Sequence, residues 1–132
     1  MIIVVSAKGK TTNQLEIIAN EACNGDKNIA NSLLKQLEQE HLDYAKNLLP
    51  EKDFTQLATE LNEYFSELQW AVDDATALRF DYSYDQIVCM GELLSTKIMC
   101  SYLCSQGLNY EWIDARSVIR TDDTYRDVRV DW

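Results

Sequence analysis

MIIVVSAKGKTTN, residues 1–13, is the stretch of sequence on which the predicted fold depends. Its apolar, β-branched run over residues 1–5 is typical of a strand buried on both faces of a parallel sheet. A polar loop with one glycine follows, and apolar residues then recur at helical spacing from Leu15, with Thr11 or Thr12 as the expected N-cap. We therefore predict a strand, a loop and a helix, an order in which α/β proteins bind ligands at the carboxyl end of the strand.

Two long amphipathic helices are predicted next. Apolar residues recur every three to four positions over residues 28–49, and Pro50 stops this helix because it has no N–H to donate. The same period returns from Asp53, which is placed to cap the second helix. We expect the two helices to form an antiparallel, protruding hairpin over about residues 26–80.

A third helix and a second strand complete the predicted elements. The helical pattern breaks at residues 81–84, resumes from Ser83 and Asp85, and ends at Gly107; Gly91 on its apolar stripe permits another backbone to come close. Alternating apolar residues predict a strand over residues 108–114, and Val128 and Val130 are candidates for one more strand. The predicted fold class is α/β, a small and mostly parallel sheet flanked by helices with a long helical hairpin.

The charge balance limits the range of partners. Twelve lysines and arginines face twenty-two aspartates and glutamates, a net charge of −10, and thirteen of the acidic residues lie within residues 13–80. A chain this acidic repels nucleic-acid phosphates and anionic lipids. It also has no unbroken apolar run of about 20 residues, the length that crosses a bilayer. We expect neither a nucleic-acid nor a membrane partner.

Cysteine usage predicts a cytoplasmic protein without a metal. The four cysteines form no CxxC pair, the only histidine is His41, and no signal peptide is recognisable. Cys100 and Cys104 share a helical face, but a closed zinc site needs two further ligands. Small buried apolar residues are the better interpretation of these cysteines.

Two places carry candidate binding chemistry. Residues 6–13 offer hydroxyls, a glycine and two lysines at a helix start, where free N–H groups favour anions; the alternative is an ordinary helix start with solvated lysines. Glu92 presents a carboxylate beside the hydroxyls of Ser95 and Thr96, a group that could hold an ammonium ion. The alternative for Glu92 is a half-exposed helical carboxylate paired with Lys97 or with water.

Three segments, taken in order, resemble aspartate kinase, a member of the amino-acid kinase family. They are VVSAKGKTTN at residues 4–13, GELLS at residues 91–95 and DARSVIRTD at residues 114–122. The resemblance extends over nearly the whole chain, although the helices between the first two segments match in character more than in residues. It implies a partial amino-acid kinase fold, similar to carbamate kinase.

The resemblance also implies an activity and a set of site residues. Aspartate kinases transfer the γ-phosphoryl group of ATP to the side-chain carboxylate of L-aspartate, the first step of lysine, threonine and methionine biosynthesis. By this resemblance Glu92 receives the ammonium group of the substrate. The residues implied to line the aspartate pocket are Ser6, Ala7 and Thr12, and the candidate anion contacts are Lys8, Gly9 and Arg120.

The sequence departs from the family in one respect that bears on catalysis. The Lys-Phe-Gly-Gly-Thr-Ser strand of the family is absent, as is the half that supplies its nucleotide site, and none of the four glycines here are adjacent. We therefore expect residues 1–132 to be an amino-terminal part of a catalytic domain, inactive alone and without catalytic residues of its own. ATP and magnesium are expected in the full-length parent and not on the fragment.

Two further expectations follow. Exposed sheet edges at residues 2–5 or at Trp112 predict a homo-oligomer. The alternative to an enzyme fragment is a non-catalytic α/β interaction module that binds a partner through the acidic hairpin.

Overall fold

Helices form the regular structure of the chain in the computed structural model, which describes residues 1–121 and Tyr125. Two short 3-10 helices, Ala77–Arg79 and Ala115–Ser117, accompany five α-helices. The α-helices are α1 (Thr11–Cys23), α2 (Lys27–Leu48), α3 (Glu51–Asp74), α4 (Phe80–Val88) and α5 (Met90–Ser105).

One hydrophobic core joins the five helices. α1 packs against α2 and α4, α2 packs against α3, and α3 packs against α4 and α5. Each helix supplies apolar side chains three or four positions apart, so each turns one stripe toward the centre. The largest fully buried apolar side chains are Leu15, Ile18, Leu37, Leu57, Leu61, Leu68, Val72, Ile87, Met90 and Leu94.

The predicted α/β class is wrong for the part of the chain that the structure describes, because no strand is found there. The segment 1–5 lies outside any helix or sheet, and Met1, Ile2 and Val4 are 95%, 91% and 86% exposed. A β-branched run favours extended backbone, but a strand also needs a neighbouring strand for its N–H and C=O groups. No such neighbour lies beside residues 1–5, so the mostly parallel sheet is absent from this part of the chain.

The second predicted strand is also wrong. Residues 108–114 have no regular structure, and the 3-10 helix Ala115–Ser117 follows them. The alternation there reflects one inward side chain: Trp112 packs against the core, whereas its neighbours Glu111 and Ile113 are exposed. The candidate strand at Val128 and Val130 lies outside the described residues.

The helical hairpin is confirmed as two long helices but not as a protrusion. α2 ends at Leu48 and α3 begins at Glu51, so Pro50 separates the helices as predicted. α3 begins before Asp53, which lies in its first turn instead of at its cap. Both helices bury their apolar stripes against the rest of the molecule, and the hairpin therefore forms half of the core.

The predicted third helix begins earlier than expected and is interrupted. α4 includes the predicted break at residues 81–84, and one residue, Cys89, separates α4 from α5. Gly91 is the second residue of α5, and glycine is one of the residues at which helices kink. The helix ends near Gly107, whose φ of +82° is one that glycine adopts readily.

Residues 77–105, which include α4 and α5, are long and apolar enough to cross a membrane by length and composition. One third of the most apolar window of this segment is buried inside the protein. Ile87, Leu94 and Ile98 are among its core side chains. These core side chains pack against the other helices, whereas the remaining two thirds of the window is not buried.

Lys27 connects the two ends of the hairpin. Its ammonium group donates hydrogen bonds to the carbonyl oxygens of Val72 at 2.5 Å and Ala75 at 2.6 Å. These carbonyls lie at the end of α3, where helix geometry leaves C=O groups without partners and where a positive charge is favoured. One side chain at the start of α2 therefore caps the end of α3.

Replacing Lys27 by methionine tests this cap. Lys27→Met keeps most of the aliphatic stem but removes both hydrogen bonds to the end of α3. We expect the free energy of unfolding in urea to fall by about 1.5 to 3 kcal/mol, the range for a hydrogen bond of a charged group. Lys35→Met, an exposed change on the same helix, should alter it by less than about 0.5 kcal/mol. Equal effects of the two substitutions would contradict the capping role.

Candidate functional site

Ser6 and Ala7 are held against α5 by two hydrogen bonds of their backbone. The hydroxyl of Ser95 donates to the carbonyl oxygen of Ser6 at 2.8 Å. The N–H of Ala7 points to the carboxylate of Glu92 at 3.4 Å, a long hydrogen bond. Ala7, which is predicted to line the pocket, therefore meets the predicted ammonium-binding carboxylate, although the two residues are 85 positions apart in sequence.

Gly91 makes this meeting sterically feasible, as its position on the apolar stripe predicted. A Cβ atom built at Gly91 would lie 3.0 Å from the Cβ of Ala7 and 3.1 Å from Cδ1 of Leu15. It would also lie 3.4 Å from Cγ2 of Thr11. The segment before α1 and the first turns of α1 thus rest directly on the backbone of α5.

Glu92 does not pair with Lys97, which was the alternative interpretation of this residue. The ammonium group of Lys97 lies 2.6 Å from the carboxylate of Glu60 and 4.5 Å from the ring centre of Trp112. Glu92 is half-buried at the start of α5. A carboxylate accepts about four hydrogen bonds, so the long contact with the Ala7 N–H leaves most of its capacity for a cationic group.

The loop between Ala7 and α1 is a tight turn. Gly9 has a φ of +55°, in the left-handed region, and the N–H of Thr11 donates to the carbonyl oxygen of Lys8 at 3.0 Å. The prediction that a threonine caps α1 is wrong, because Thr11 lies inside the helix, is buried, and Lys10 precedes it without a side-chain cap. Thr12 is half-buried in the first turn of α1.

Three side chains of this loop and of α1 contact one face of α2. The ammonium group of Lys8 lies 4.6 Å from the ring centre of Tyr44. The hydroxyl of Thr11 lies 3.5 Å from Nε2 of His41, and a third contact joins Gln14 to Glu40 at 3.0 Å. These contacts with α2 were not predicted. The signal was position 41, which continues the apolar stripe of α2 and so indicates a buried histidine.

Arg120 is exposed, and no contact connects it with the other candidate site residues in residues 1–121. Arg116 is engaged with acidic groups: it binds the carboxylates of Glu67 at 2.7 Å and Asp114 at 2.8 Å. The hydrogen bonds from Arg116 lower the pKa of Asp114. The loop at residues 114–120 is therefore fastened to α3, and the structure does not bring Arg120 into the candidate site.

Trp112 is half-buried and packs against the core. Its indole N–H donates to the hydroxyl of Thr96 at 2.9 Å, and its ring packs edge-on against Tyr64 at 5.9 Å. Thr96 in turn donates to the backbone carbonyl of Glu92 at 2.8 Å. Trp112 thus steadies the helix turn that carries Glu92, a role that the sequence analysis did not assign to it.

Two of the cysteines, Cys89 and Cys100, have thiols that are harder to ionise than usual. Burial raises the pKa of the Cys89 thiol to about 11, and burial together with the neighbouring Cys104 raises the pKa of Cys100. Among the described residues, no three side chains of His, Cys, Asp or Glu are grouped closely enough to hold a metal ion.

A groove of about 440 Å³ borders the Ser6 side of the site, between the amino-terminal segment, α2 and α5. Polar side chains of Ser6, Lys8 and Ser95 line it together with apolar ones. Ala7, Thr12 and Glu92 are not among its lining residues, so Ser6 alone of the residues implied to contact aspartate lines this groove.

The candidate site consists of the segment before α1, which packs against α5, and the carboxylate of Glu92. Comparison with known sequences then shows which proteins this chain is similar to. The chain is related to aspartokinases, which confirms the resemblance seen in the three sequence segments. No family model matches the sequence, and no solved structure gives a significant match.

The relatives include single-function and bifunctional enzymes. The chain is 30% identical over 125 residues to the bifunctional aspartokinase/homoserine dehydrogenase 2 of Escherichia coli (strain K12), a match that covers 92% of this chain and 14% of the relative. It is 29% identical over 123 residues to the aspartokinase of Chlamydia trachomatis, covering 93% and 26%. The match to the chloroplastic bifunctional enzyme of Zea mays has 26% identity and covers 89% and 13%. The chain thus spans about a quarter or less of the length of these relatives.

The contact at Gly91 gives a stability prediction. Gly91→Val adds a branched side chain where even a single Cβ would be 3.0 Å from Ala7. We expect the free energy of unfolding in urea to fall by about 1 to 3 kcal/mol, the range for overpacking a close contact. The ¹H–¹⁵N signal of the Ala7 amide should also shift as its bond to Glu92 is lost.

Ser101→Val is the matched control, since Ser101 lies on the same helix and lines an open groove. It should change the free energy of unfolding by less than about 0.5 kcal/mol. An unchanged urea midpoint for Gly91→Val would mean that Ala7 does not rest on α5 in solution.

Proposed function

We propose that this chain is the aspartate-binding part of an aspartate kinase, which transfers the γ-phosphoryl group of ATP to the side-chain carboxylate of L-aspartate. The observation that carries the proposal is the contact between the Ala7 N–H and the Glu92 carboxylate. It joins two segments that the resemblance assigns to one pocket and that lie far apart in sequence. The relation to aspartokinases over nine-tenths of the chain supports the same assignment.

The chemistry of the site suits a free amino acid. Glu92 offers a carboxylate to the α-ammonium group, and a charged hydrogen bond of this kind contributes about 1.5 to 3 kcal/mol. The substrate carboxylates would face Ser6, Lys8 and Thr12, next to the amino-terminal end of α1, where free N–H groups and the helix dipole favour negative charge. Gly9 lets the backbone of this loop turn tightly beside the ligand.

Phosphoryl transfer needs groups that this chain does not contain. Transfer of a phosphoryl group depends on positioning and on neutralising charge, for which the family uses a lysine and paired glycines. The described residues also hold no cluster of side chains for magnesium. We propose that MgATP binds to the full-length parent, that the chain alone is inactive, and that the protein is cytoplasmic. Its assembly into a homo-oligomer stays a prediction.

Aspartate binding to the isolated chain tests the site directly. In ¹H–¹⁵N spectra, L-aspartate should shift the amides of Ala7, Gly9 and Thr12, with a dissociation constant of about a millimolar or weaker because the pocket is open. Glu92→Gln should weaken binding about tenfold, as expected from the loss of one charged hydrogen bond.

Two controls separate the role of Glu92 from general charge effects. Succinate has both carboxylates but no ammonium group, so its binding should not depend on Glu92. Glu111→Gln removes an exposed negative charge outside the site and should leave aspartate binding unchanged. Equal loss of aspartate and succinate binding in Glu92→Gln would contradict the assigned role.

Catalysis is tested by aspartyl-hydroxamate formation from aspartate, MgATP and hydroxylamine. The longest reading frame that contains this chain should form the hydroxamate, and its Glu92→Gln variant should do so at least about tenfold more slowly at subsaturating aspartate. The 132-residue chain alone should give none. Hydroxamate formation by the chain alone would contradict the proposed fragment, and indifference of the longer protein to aspartate would contradict the proposed substrate.

A further inference from the structure

One face of α2 fastens the candidate site loop from the side opposite α5. Glu40, His41 and Tyr44 lie on this side of α2, and Tyr44 is four residues from Glu40 and three from His41, the spacing of neighbours on a helix. They contact Gln14, Thr11 and Lys8 respectively, so three successive contacts join α2 to the site loop and the start of α1. A surface loop fixed at three points to a core helix has little freedom to move relative to that helix.

His41 is the only buried member of this face, at 1% exposure. Its Nδ1 donates to the carbonyl oxygen of Leu37 at 2.8 Å, which leaves Nε2 without a proton in the neutral ring. Nε2 is then an acceptor for the hydroxyl of Thr11 at 3.5 Å. The edge of Phe65, 5.9 Å between ring centres, closes the other side of the ring.

We propose that neutral His41 is a positioning residue, which holds the loop of residues 8–14 in place against α2 and releases it when the imidazole takes up a proton. The role for aspartate rests on the proposed function, because this loop is the one assigned to the substrate carboxylates. His41 itself touches no predicted substrate atom, so it acts through Thr11.

The groups around His41 determine whether its protonation is opposed or favoured while the loop is closed. Lys8 faces it from the loop, and its positive charge opposes protonation; Glu40, on α2 itself, favours protonation more weakly than burial opposes it. Burial is the main cause that lowers the pKa of His41 below its ordinary value of 6.5. Protonation would turn Nε2 from an acceptor into a donor, so the Thr11 hydroxyl would have to change from donating to accepting. It would also bury a positive charge in the core, close to the ammonium group of Lys8.

The pH dependence follows by linkage. When the loop opens, His41 meets water and regains its ordinary pKa, so the open form binds a proton more readily than the closed form. The closed loop is therefore fully favoured above about pH 6.5, loses stability as the pH falls toward the lowered pKa, and levels off below it.

Amide hydrogen exchange on the full chain measures this opening. The reporters are the N–H groups of Thr11 and Gln14, which donate to the carbonyls of Lys8 and Lys10 at 3.0 Å and so close the turn. Their protection factors, corrected for the intrinsic pH dependence of exchange, should fall several-fold between pH 7.5 and 5, because the open form binds a proton at His41 more readily. The control reporter is the Ala30 amide at the opposite end of α2, which donates to the carbonyl of Asp26 at 3.1 Å and should not change.

Three variants separate positioning from general stability. His41→Gln has an oxygen for Thr11 but cannot be protonated, so its loop should stay protected and show no pH dependence. His41→Leu should lower loop protection about tenfold at pH 7.5. Leu34→Ala, a buried change on the same helix, should destabilise α2 while the pH dependence of Thr11 and Gln14 remains. Loop protection that is independent of pH in the wild type, or equally pH-dependent in His41→Gln, would overturn the proposal.

Aspartate titrations of the same variants at pH 7.5 distinguish this proposal from the proposed function. His41→Leu should weaken aspartate binding several-fold, and His41→Gln should restore it. Unchanged affinity in His41→Leu despite an open loop would overturn the positioning role. Complete absence of aspartate binding in the wild type would instead contradict the proposed function, and the exchange results would still decide whether His41 holds the loop.

Discussion

The contact between Ala7 and the backbone of α5 at Gly91 is the constraint on which the candidate site depends. A side chain at position 91 would push the amino-terminal segment away, because Ala7 already lies at the limit of ordinary contact. Glu92 is the next residue along α5, so the approach that packs Ala7 also brings a carboxylate to the loop. Glycine matters here for the space that it leaves, whereas at Gly9 it matters for its backbone angle.

In the segment before α1, side chains of α5 bind the backbone N–H and C=O groups that a neighbouring strand would bind in a sheet. A strand satisfies its N–H and C=O groups with a neighbouring strand, and buried groups without partners cost stability. Here Ser95 and Glu92 bind the backbone at Ser6 and Ala7 from α5, and α2 fixes the loop that follows. The position of the loop is therefore set by a few side chains of two helices, and it is sensitive to single substitutions in either of them.

The sequence predicted the helices well because apolar spacing and Pro50 act locally. It also predicted the close approach at Gly91, and it named Ser6, Ala7 and Glu92 together through the family resemblance. It failed for the strands, since the β-branched run at residues 1–5 specifies an extended backbone but not a partner. His41 escaped notice because a lone histidine on an apolar stripe has the pattern of a core residue, and only the fold brings Thr11 to it.

The net negative charge of the chain and the charges of the candidate site come from different residues. The acidic residues are concentrated on α1 to α3, where water screens their exposed faces, whereas the candidate site residues include the cation Lys8 and the anion Glu92. A ligand with charge of one sign would be attracted to one side of this arrangement and repelled by the other. A free amino acid, the proposed ligand, carries both signs a few ångströms apart, so each of its ends would meet a group of opposite charge. The selectivity of such a site comes from the distance between its two halves, which is why the packing of the loop between α5 and α2 bears directly on recognition.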